Sequence, residues 1–370
     1  FVMSYGPAIA GHSPPQIIDA IQQASGNGTS YGAPTLGEIE MAEELCDRVD
    51  GVEMVRLVSS GTEATMTAIR LARGATGRNK IIKFAGHYHG HGDAVLAAGG
   101  SGVANQGLSG SSGVPLGAVA DTVVAPWNTI PEVDPSVAAV ILEPVPANMG
   151  IVPPSEGYLQ KLRDTCSDNG SILIFDEVIT GFRLSRGGAS QWFGVQPDLW
   201  CFGKVIGGGL PMGAYGGSAD LLRNVAPLGE VYQAGTLSGN PIATAAGLAQ
   251  LGLLTEEAYS SLEKTAERLS KGFEQVFSDT NFPAVVPRVG SLLSVFFTES
   301  APSNFDEAKK AAENGVYQKF FHCMLQNGVA FPPGPYEALF PSLAHSDDVI
   351  DQTIETALKV VKEIKSKSLT

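Results

Sequence analysis

The sequence is poor in cysteine, and the four it has are scattered. Cys46, Cys166, Cys201 and Cys323 form no CxxC pair. That spacing excludes a zinc ribbon and a disulfide framework, and points to reduced thiols in a cytosolic compartment. No run reaches about 18 apolar residues, so no membrane span is expected. No signal or transit segment is recognisable. The chain opens at Phe1-Val2-Met3, which reads as a start inside a domain. Positive charge is scarce: 24 Lys plus Arg stand against 38 Asp plus Glu, a net charge of −14 with His neutral. Nucleic acid and anionic membranes are thereby excluded as expected partners, because both require clustered Lys and Arg. No internal repeat is visible.

Glycine, by contrast, is abundant. It supplies 44 of 370 residues, where about 7% is usual. Glycine in excess marks tight turns and places where a ligand or another strand approaches the backbone closely. A hydrophobic share of 44% is enough for a packed core and excludes wholesale disorder. The length suits one large domain with a smaller companion.

Short apolar runs alternate with helical patterns over the first two thirds of the chain. Met54–Val58, Ile81–Phe84, Val137–Leu142, Ser171–Phe175 and Leu199–Phe202 read as buried strands. Helices are expected from Pro14-Pro15, over Leu36–Val49, after Gly61 to Ala72 and over Ser155–Ser167. This alternation predicts a mostly parallel sheet covered on both faces. After Gly239 the pattern changes to long helices over 240–277, β-like segments over 285–297, and helices over 306–327 and 347–366. A linking helix and a smaller α+β domain are expected there. Residues 97–119 are rich in Gly and Ser, and read either as a linker or as a lid beside a site.

In open α/β sheets, ligands bind beyond the carboxyl ends of the strands. Ser60-Gly61-Thr62 follows the first strand and opens a helix. A phosphate cradle on the helix N-terminus and an ordinary N-cap with Glu63 both suit it. The segment Gly86-His87-Tyr88-His89-Gly90-His91 follows the second strand. Its alternating histidines admit a metal site, but the flanking glycines favour packing against a flat ligand, with Tyr88 as a stacking platform or a plain core aromatic. Asp176 and Lys204 follow two further strands. A lysine amine condenses with aldehydes, and a buried carboxylate favours a protonated pyridine nitrogen. Together with a phosphate cup, these are the groups a pyridoxal phosphate enzyme needs. Taken singly, each has a plainer explanation: a helix cap for Asp176 and a solvated lysine for Lys204.

Several segments together carry a resemblance. They are Gly28-Thr29-Ser30-Tyr31-Gly32-Ala33-Pro34, Ser60-Gly61-Thr62-Glu63-Ala64, Tyr88-His89-Gly90-His91, Glu143-Pro144-Val145 with Asn148-Met149-Gly150, Asp176-Glu177-Val178, Gly203-Lys204 with Val205-Ile206-Gly207-Gly208-Gly209, and Tyr232 through Pro241. On these motifs the whole chain resembles the class III aminotransferases, most closely their aminomutase branch. The resemblance implies a fold-type-I transferase: an α/β fold with a large domain (1–254), built on a mostly parallel seven-stranded sheet, and a small C-terminal α+β domain (255–370). It implies pyridoxal 5'-phosphate as cofactor, with Lys204 as the covalent attachment point and proton carrier and Asp176 at the ring nitrogen. Tyr88 and Val178 would take the two ring faces, and Asn148 would lie near the ring hydroxyl. Ser60, Gly61 and Thr62 would hold the phosphate, joined by Gly235 and Thr236 from a second subunit. Glu337 would stand near the substrate amino group, and residues 92–119 would gate the site. No metal is implied. The implied partners are a small amino-aldehyde substrate and a second copy of the chain, in a homodimer with shared active sites. The implied reaction converts glutamate-1-semialdehyde to 5-aminolevulinate, the tetrapyrrole precursor, in the cytoplasm. Ordinary amine exchange between two substrates is the rival expectation. A tryptophan is usual in that branch where Tyr5 stands, and its arginine- and serine-bearing N-terminal segment has no match in this sequence.

Overall fold

The computed structural model describes residues 1–97 and 111–367. Its centre is a seven-stranded sheet made of β1 (Met54–Val58), β2 (Lys80–Phe84), β3 (Thr122–Ala125), β4 (Val137–Leu142), β5 (Ile172–Asp176), β6 (Leu199–Phe202) and β7 (Gly213–Gly217). The spatial order is β1-β7-β6-β5-β4-β2-β3. Strands β3, β2, β4, β5 and β6 run parallel to their neighbours, and β7 is antiparallel to both β6 and β1. The expected mostly parallel α/β sheet is therefore present.

Side-chain alternation gives the sheet two apolar faces. All six residues of β4 are buried. Val140 and Leu142, with Phe84, Leu173 and Phe175, pack on one side against the helix Tyr158–Asn169 through Tyr158, Leu159 and Leu162. Ala139 and Ile141, with Ile81 and Ile174, pack on the other side against the helix Gly61–Thr76 through Ala64, Ala68 and Leu71.

Two strands lie outside the expected set, β3 and β7. The sequence of β7 is Gly-Ala-Tyr-Gly-Gly, and glycine weakens a strand taken on its own. Here the glycines make room for close neighbours. A Cβ on Gly216 would lie 2.8 Å from Val55 Cγ1, and one on Gly213 would lie 2.4 Å from the Ser60 carbonyl oxygen. The long helices expected over 240–277 are two, and the single helix expected over 306–327 is divided. Pro241–Gly252 ends before Glu256–Asp279, which begins afresh on a Thr255 cap whose side chain accepts from the Ala258 N–H. Phe305–Glu313 and Val316–Gln326 are separated at Gly315, whose φ of 70° breaks the helix. Of the Gly/Ser-rich stretch 97–119, residues 98–110 lie outside the described residues, and Leu116–Val119 is a short helix.

A second core lies between the helices Glu256–Asp279 and Asp347–Lys367. Leu269, Phe273, Val276 and Phe277 meet Val360 and Val361 there, with Phe320 and Met324 from Val316–Gln326. The link between the sheet and this core is the helix Pro241–Gly252, which lies on the turn Lys204–Gly207. Its approach is backbone to backbone: a Cβ on Gly247 would sit 1.9 Å from the Ile206 carbonyl oxygen. The Gln250 amide closes the same contact by donating to the Val205 carbonyl. Overpacking of this kind typically costs about 1–3 kcal/mol. Gly247→Ala should reach at least that range, because backbone rather than a side chain must yield. Urea unfolding of the variant checks this, and a midpoint equal to the parent's would mean that the helix can shift freely.

Candidate active site

The carboxyl ends of β2, β4, β5 and β6, with the end of β1, face one crevice. The connections leaving these strands place eight of the expected site residues around one cavity of about 230 Å³. Ser60, Gly61 and Thr62 follow β1, Tyr88 follows β2, and Asn148 lies beyond β4. Asp176 ends β5, Val178 lies two residues on, and Lys204 follows β6. His89, Gly90, Glu143 and Ile179 complete the lining.

Asp176 is buried as the last residue of β5. One of its oxygens, Oδ2, lies 2.7 Å from His89 Nδ1, and the other, Oδ1, accepts the Val178 N–H at 3.1 Å. Burial pushes its carboxyl up to about 7, and the Val178 N–H and the Lys204 charge oppose the shift. Burial lowers the His89 pKa well below the ordinary value, and its Nδ1 forms the hydrogen bond with Asp176 Oδ2. The adjacent Glu177 is committed elsewhere. Its oxygens accept the Ala189 and Ser190 N–H groups and the Thr180 hydroxyl, so it caps the helix Gly188–Phe193.

Lys204 starts the turn after β6 with φ at 46°, a left-handed conformation uncommon for a residue other than glycine. Burial lowers the pKa of its amine, while the carboxylates of Asp176, Glu143 and Glu337 act in the opposite direction. Glu143, at the end of β4, is the second buried acid. Its Oε1 accepts the Tyr88 N–H at 2.7 Å, and its Oε2 accepts the Ala147 N–H at 3.2 Å and the Asn148 amide at 2.8 Å. Burial and the neighbouring Asp176 push its carboxyl up to about 8.

At the other end of the cavity, the helix Gly61–Thr76 begins. Ser60 Oγ accepts the Glu63 N–H, so the N-cap expected from the sequence is real. The same geometry leaves the first-turn N–H groups of Gly61 and Thr62 at a helix end suited to an anion. Cap and cradle thus coexist. Gly61 is fitted to Val178, since a Cβ there would lie 2.8 Å from Val178 Cγ2, and a Cβ on Gly90 would lie 2.4 Å from Thr62 Oγ1.

Three expected residues lie apart from this cavity. Gly235 and Thr236 are exposed on a separate groove of about 690 Å³, which also takes in Tyr31, Ile39 and Arg56. Glu337 is half-buried and is near enough for its charge to act on Lys204 and Tyr5. No group of three or more potential metal-ligating side chains exists among the described residues. The Nδ1 of His87 accepts the Glu143 N–H at 3.0 Å, that of His89 faces Asp176, and that of His91 meets Thr62 Oγ1 at 3.2 Å. The site residues missed in the sequence are His89 and Glu143. Their signal was present in Tyr88-His89-Gly90-His91 and Glu143-Pro144-Val145, but which acid His89 would meet depends on the order of strands in the sheet.

A family model described as aminotransferase class-III matches residues 1–361. The chain is 51% identical to a protein of Sulfurihydrogenibium sp. (strain YO3AOP1) named glutamate-1-semialdehyde 2,1-aminomutase, over 98% of this chain and 87% of that one. Among solved structures, a transaminase with PLP bound matches with a TM-score of 0.88 and 32% identity, over 100% of this chain and 87% of that one. A glutamate-1-semialdehyde-aminomutase from Pseudomonas aeruginosa PAO1 matches with a TM-score of 0.85 and 28% identity, over 98% of this chain and 83% of that one.

The three buried carboxyls make stability depend on pH. Asp176 and Glu177 titrate at about 7 and Glu143 at about 8 in the folded chain, against roughly 4 when unfolded. Folded protein therefore holds protons that unfolded protein has released, and this contribution is complete below about pH 4 and lost as pH rises through 7 to 8. Asp176→Asn removes one such group. In protein stripped of bound ligand, the parent's stability relative to that variant should fall between pH 5 and pH 8. The fall should exceed about 1.4 kcal/mol, the value of one pKa unit. Urea unfolding at both pH values reads it, and a constant difference would mean that the folded carboxyl titrates normally.

Proposed function

Because the chain belongs to the class-III aminotransferase family, we propose that it moves an amino group within one substrate molecule, with pyridoxal 5'-phosphate as cofactor. The substrate we propose is glutamate-1-semialdehyde, named in the relatives' activity, and moving its amino group from carbon 2 to carbon 1 gives 5-aminolevulinate. The observation that carries this reading is the meeting of Lys204 and Asp176, from two different strand ends, in one buried cavity. The cavity fits the cofactor: it offers an amine, an acid for a ring nitrogen, an aromatic and a branched side chain for a flat ring, and a glycine-opened helix end for a phosphate. With no helix among the described residues long and apolar enough to cross a membrane, and with four cysteines all free of disulfides, the compartment we propose is the cytoplasm.

Pyridoxal phosphate supplies an aldehyde that condenses with amines and a ring that draws electrons from the carbon beside the nitrogen. The protein's part is to bind, orient and move protons. Asp176, kept in place by His89 and the Val178 N–H, holds a proton on the ring nitrogen, because an adjacent negative charge favours the protonated form. Tyr88 and Val178 would take the two faces of a flat ring, and Asn148, which donates to Glu143, would lie near the ring hydroxyl. Ser60, Gly61 and Thr62 hold the phosphate at the helix end. Burial lowers the pKa of the Lys204 amine, so more of it is in the basic form that can lift a proton from a substrate carbon and return it at another. Glu337, which acts on Lys204 from the side of Tyr5, is assigned to the substrate amino group.

The cofactor phosphate is also where a second subunit enters this reading. Thr236 does not line the Lys204 cavity of its own chain, and its groove carries exposed apolar residues, with Tyr31 52%, Ile39 52% and Leu237 56% exposed. We assign this face to a second copy of the chain, whose site Gly235 and Thr236 would complete.

Semialdehyde as sole substrate tests the reaction. Formation of 5-aminolevulinate without any added amine acceptor supports intramolecular transfer, and an absolute requirement for a second keto acid supports ordinary transamination. Lys204→Ala should lose the borohydride-reducible link to pyridoxal phosphate and nearly all turnover; turnover near the parent's would assign the proton carrier elsewhere. Thr236→Val should weaken cofactor binding by one to two decades, given about 1.5–3 kcal/mol for a hydrogen bond to a charged oxygen. Mixed dimers of Lys204→Ala and Thr236→Val chains place both lesions in one site, so activity at low cofactor should partly return. No recovery in verified mixed dimers would sink the shared site.

A further inference from the structure

Lys83 is fully buried at the end of β2, in the middle of an apolar layer. Among the described residues its ammonium makes no ion pair within salt-bridge distance. It donates instead to two backbone carbonyls, of His87 at 3.0 Å and of Val95 at 2.9 Å. Burying a charge on carbonyls alone is costly, and a methionine of similar volume would fill the same space without that cost. The carbonyl of His87 precedes Tyr88, and the N–H of that same peptide group and the carbonyl of His89 are also held by buried side chains. The Tyr88 N–H donates to Glu143 Oε1 at 2.7 Å, and the His89 carbonyl accepts the Thr65 hydroxyl at 2.7 Å. Three buried side chains from β2, the end of β4 and the helix Gly61–Thr76 thus hold two peptide groups, His87–Tyr88 before the tyrosine and His89–Gly90 after it.

We propose that Lys83 is a positioning residue that, with Thr65 and Glu143, fixes the backbone on both sides of Tyr88 so that its ring is presented to the cofactor. The proposal rests on the function read above. Tyr88 itself is 36% exposed, so packing alone does not settle where the ring stands; its backbone does. Burial lowers the Lys83 pKa to about 8, and the facing Glu143 opposes the shift. The other titratable groups turned toward the ammonium are His87 and His89, both held neutral by burial.

The test is a double-mutant cycle on the holoenzyme with Lys83→Met, Tyr88→Ala and the pair. The readouts are the dissociation constant of pyridoxal phosphate and its visible circular dichroism, with thermal unfolding recorded alongside. Lys83→Met should weaken cofactor binding about tenfold and diminish the dichroic band. In the Tyr88→Ala background the same change should cost less than about twofold, because contacts acting through one group are not additive. A merely structural lysine would lower the melting temperature while leaving affinity and the band within about twofold of the parent. That outcome overturns the proposal, and so does an equal loss in both backgrounds. Should Lys83→Met fail to fold, the near-isosteric Thr65→Val decides through the same cycle. It is expected to lose roughly threefold in affinity, absorbed by Tyr88→Ala, and parental values or an additive loss would count against the proposal. A parent chain that forms no borohydride-reducible adduct at all would instead remove the functional reading on which this rests.

Discussion

Everything around the cavity answers to one constraint, the burial of Asp176 at the end of β5. A carboxylate taken out of water must be given partners or it takes up a proton. Here the partners are His89 and the Val178 N–H, with the Lys204 amine adding a favourable charge. Each comes from a different connection, so satisfying the acid brings together the loops that follow β2, β5 and β6. Glu143 repeats the pattern one strand away, and the Lys83 ammonium faces it from β2. The centre of the molecule is thus an island of mutually compensating charge. It sits within a sheet in which β4, next to the middle strand β5, is buried along its whole length.

Much of this was legible before any coordinates. Apolar runs that end in a glycine or a charged residue marked β1, β2, β4, β5 and β6, since a strand buried on both faces leaves a continuous hydrophobic signature. Asp176 and Lys204 stood out because each follows such a run. The same logic failed for β7, whose Gly-Ala-Tyr-Gly-Gly has no signature of its own and is a strand only because β1 and β6 press on it from both sides. The helix end at Gly315 is not marked in the same way, because the apolar periodicity continues across it and a helix break is a local event that periodicity does not register.

At the site, the limit on sequence reasoning was one of pairing. That Tyr88-His89-Gly90-His91 matters was readable, but that His89 meets Asp176 while His87 takes the Glu143 N–H depends on β4 standing between β2 and β5. Lys83 was invisible for the opposite reason. In the sequence it is one lysine in a strand, and only full burial and two carbonyl partners set it apart. Gly235 and Thr236 show a third kind of limit. Their motif was plain, yet within one chain they face away from the residues with which they are expected to act.

The contact of Gly247 with the Ile206 carbonyl has a mechanical meaning. The helix Pro241–Gly252 leads into the helix Glu256–Asp279 of the second core, and at its other side it rests on the turn that begins with Lys204. Two backbones in direct apposition have no flexible side chain between them to act as a cushion. A displacement of that helix would therefore meet the backbone of the Lys204–Gly207 turn directly.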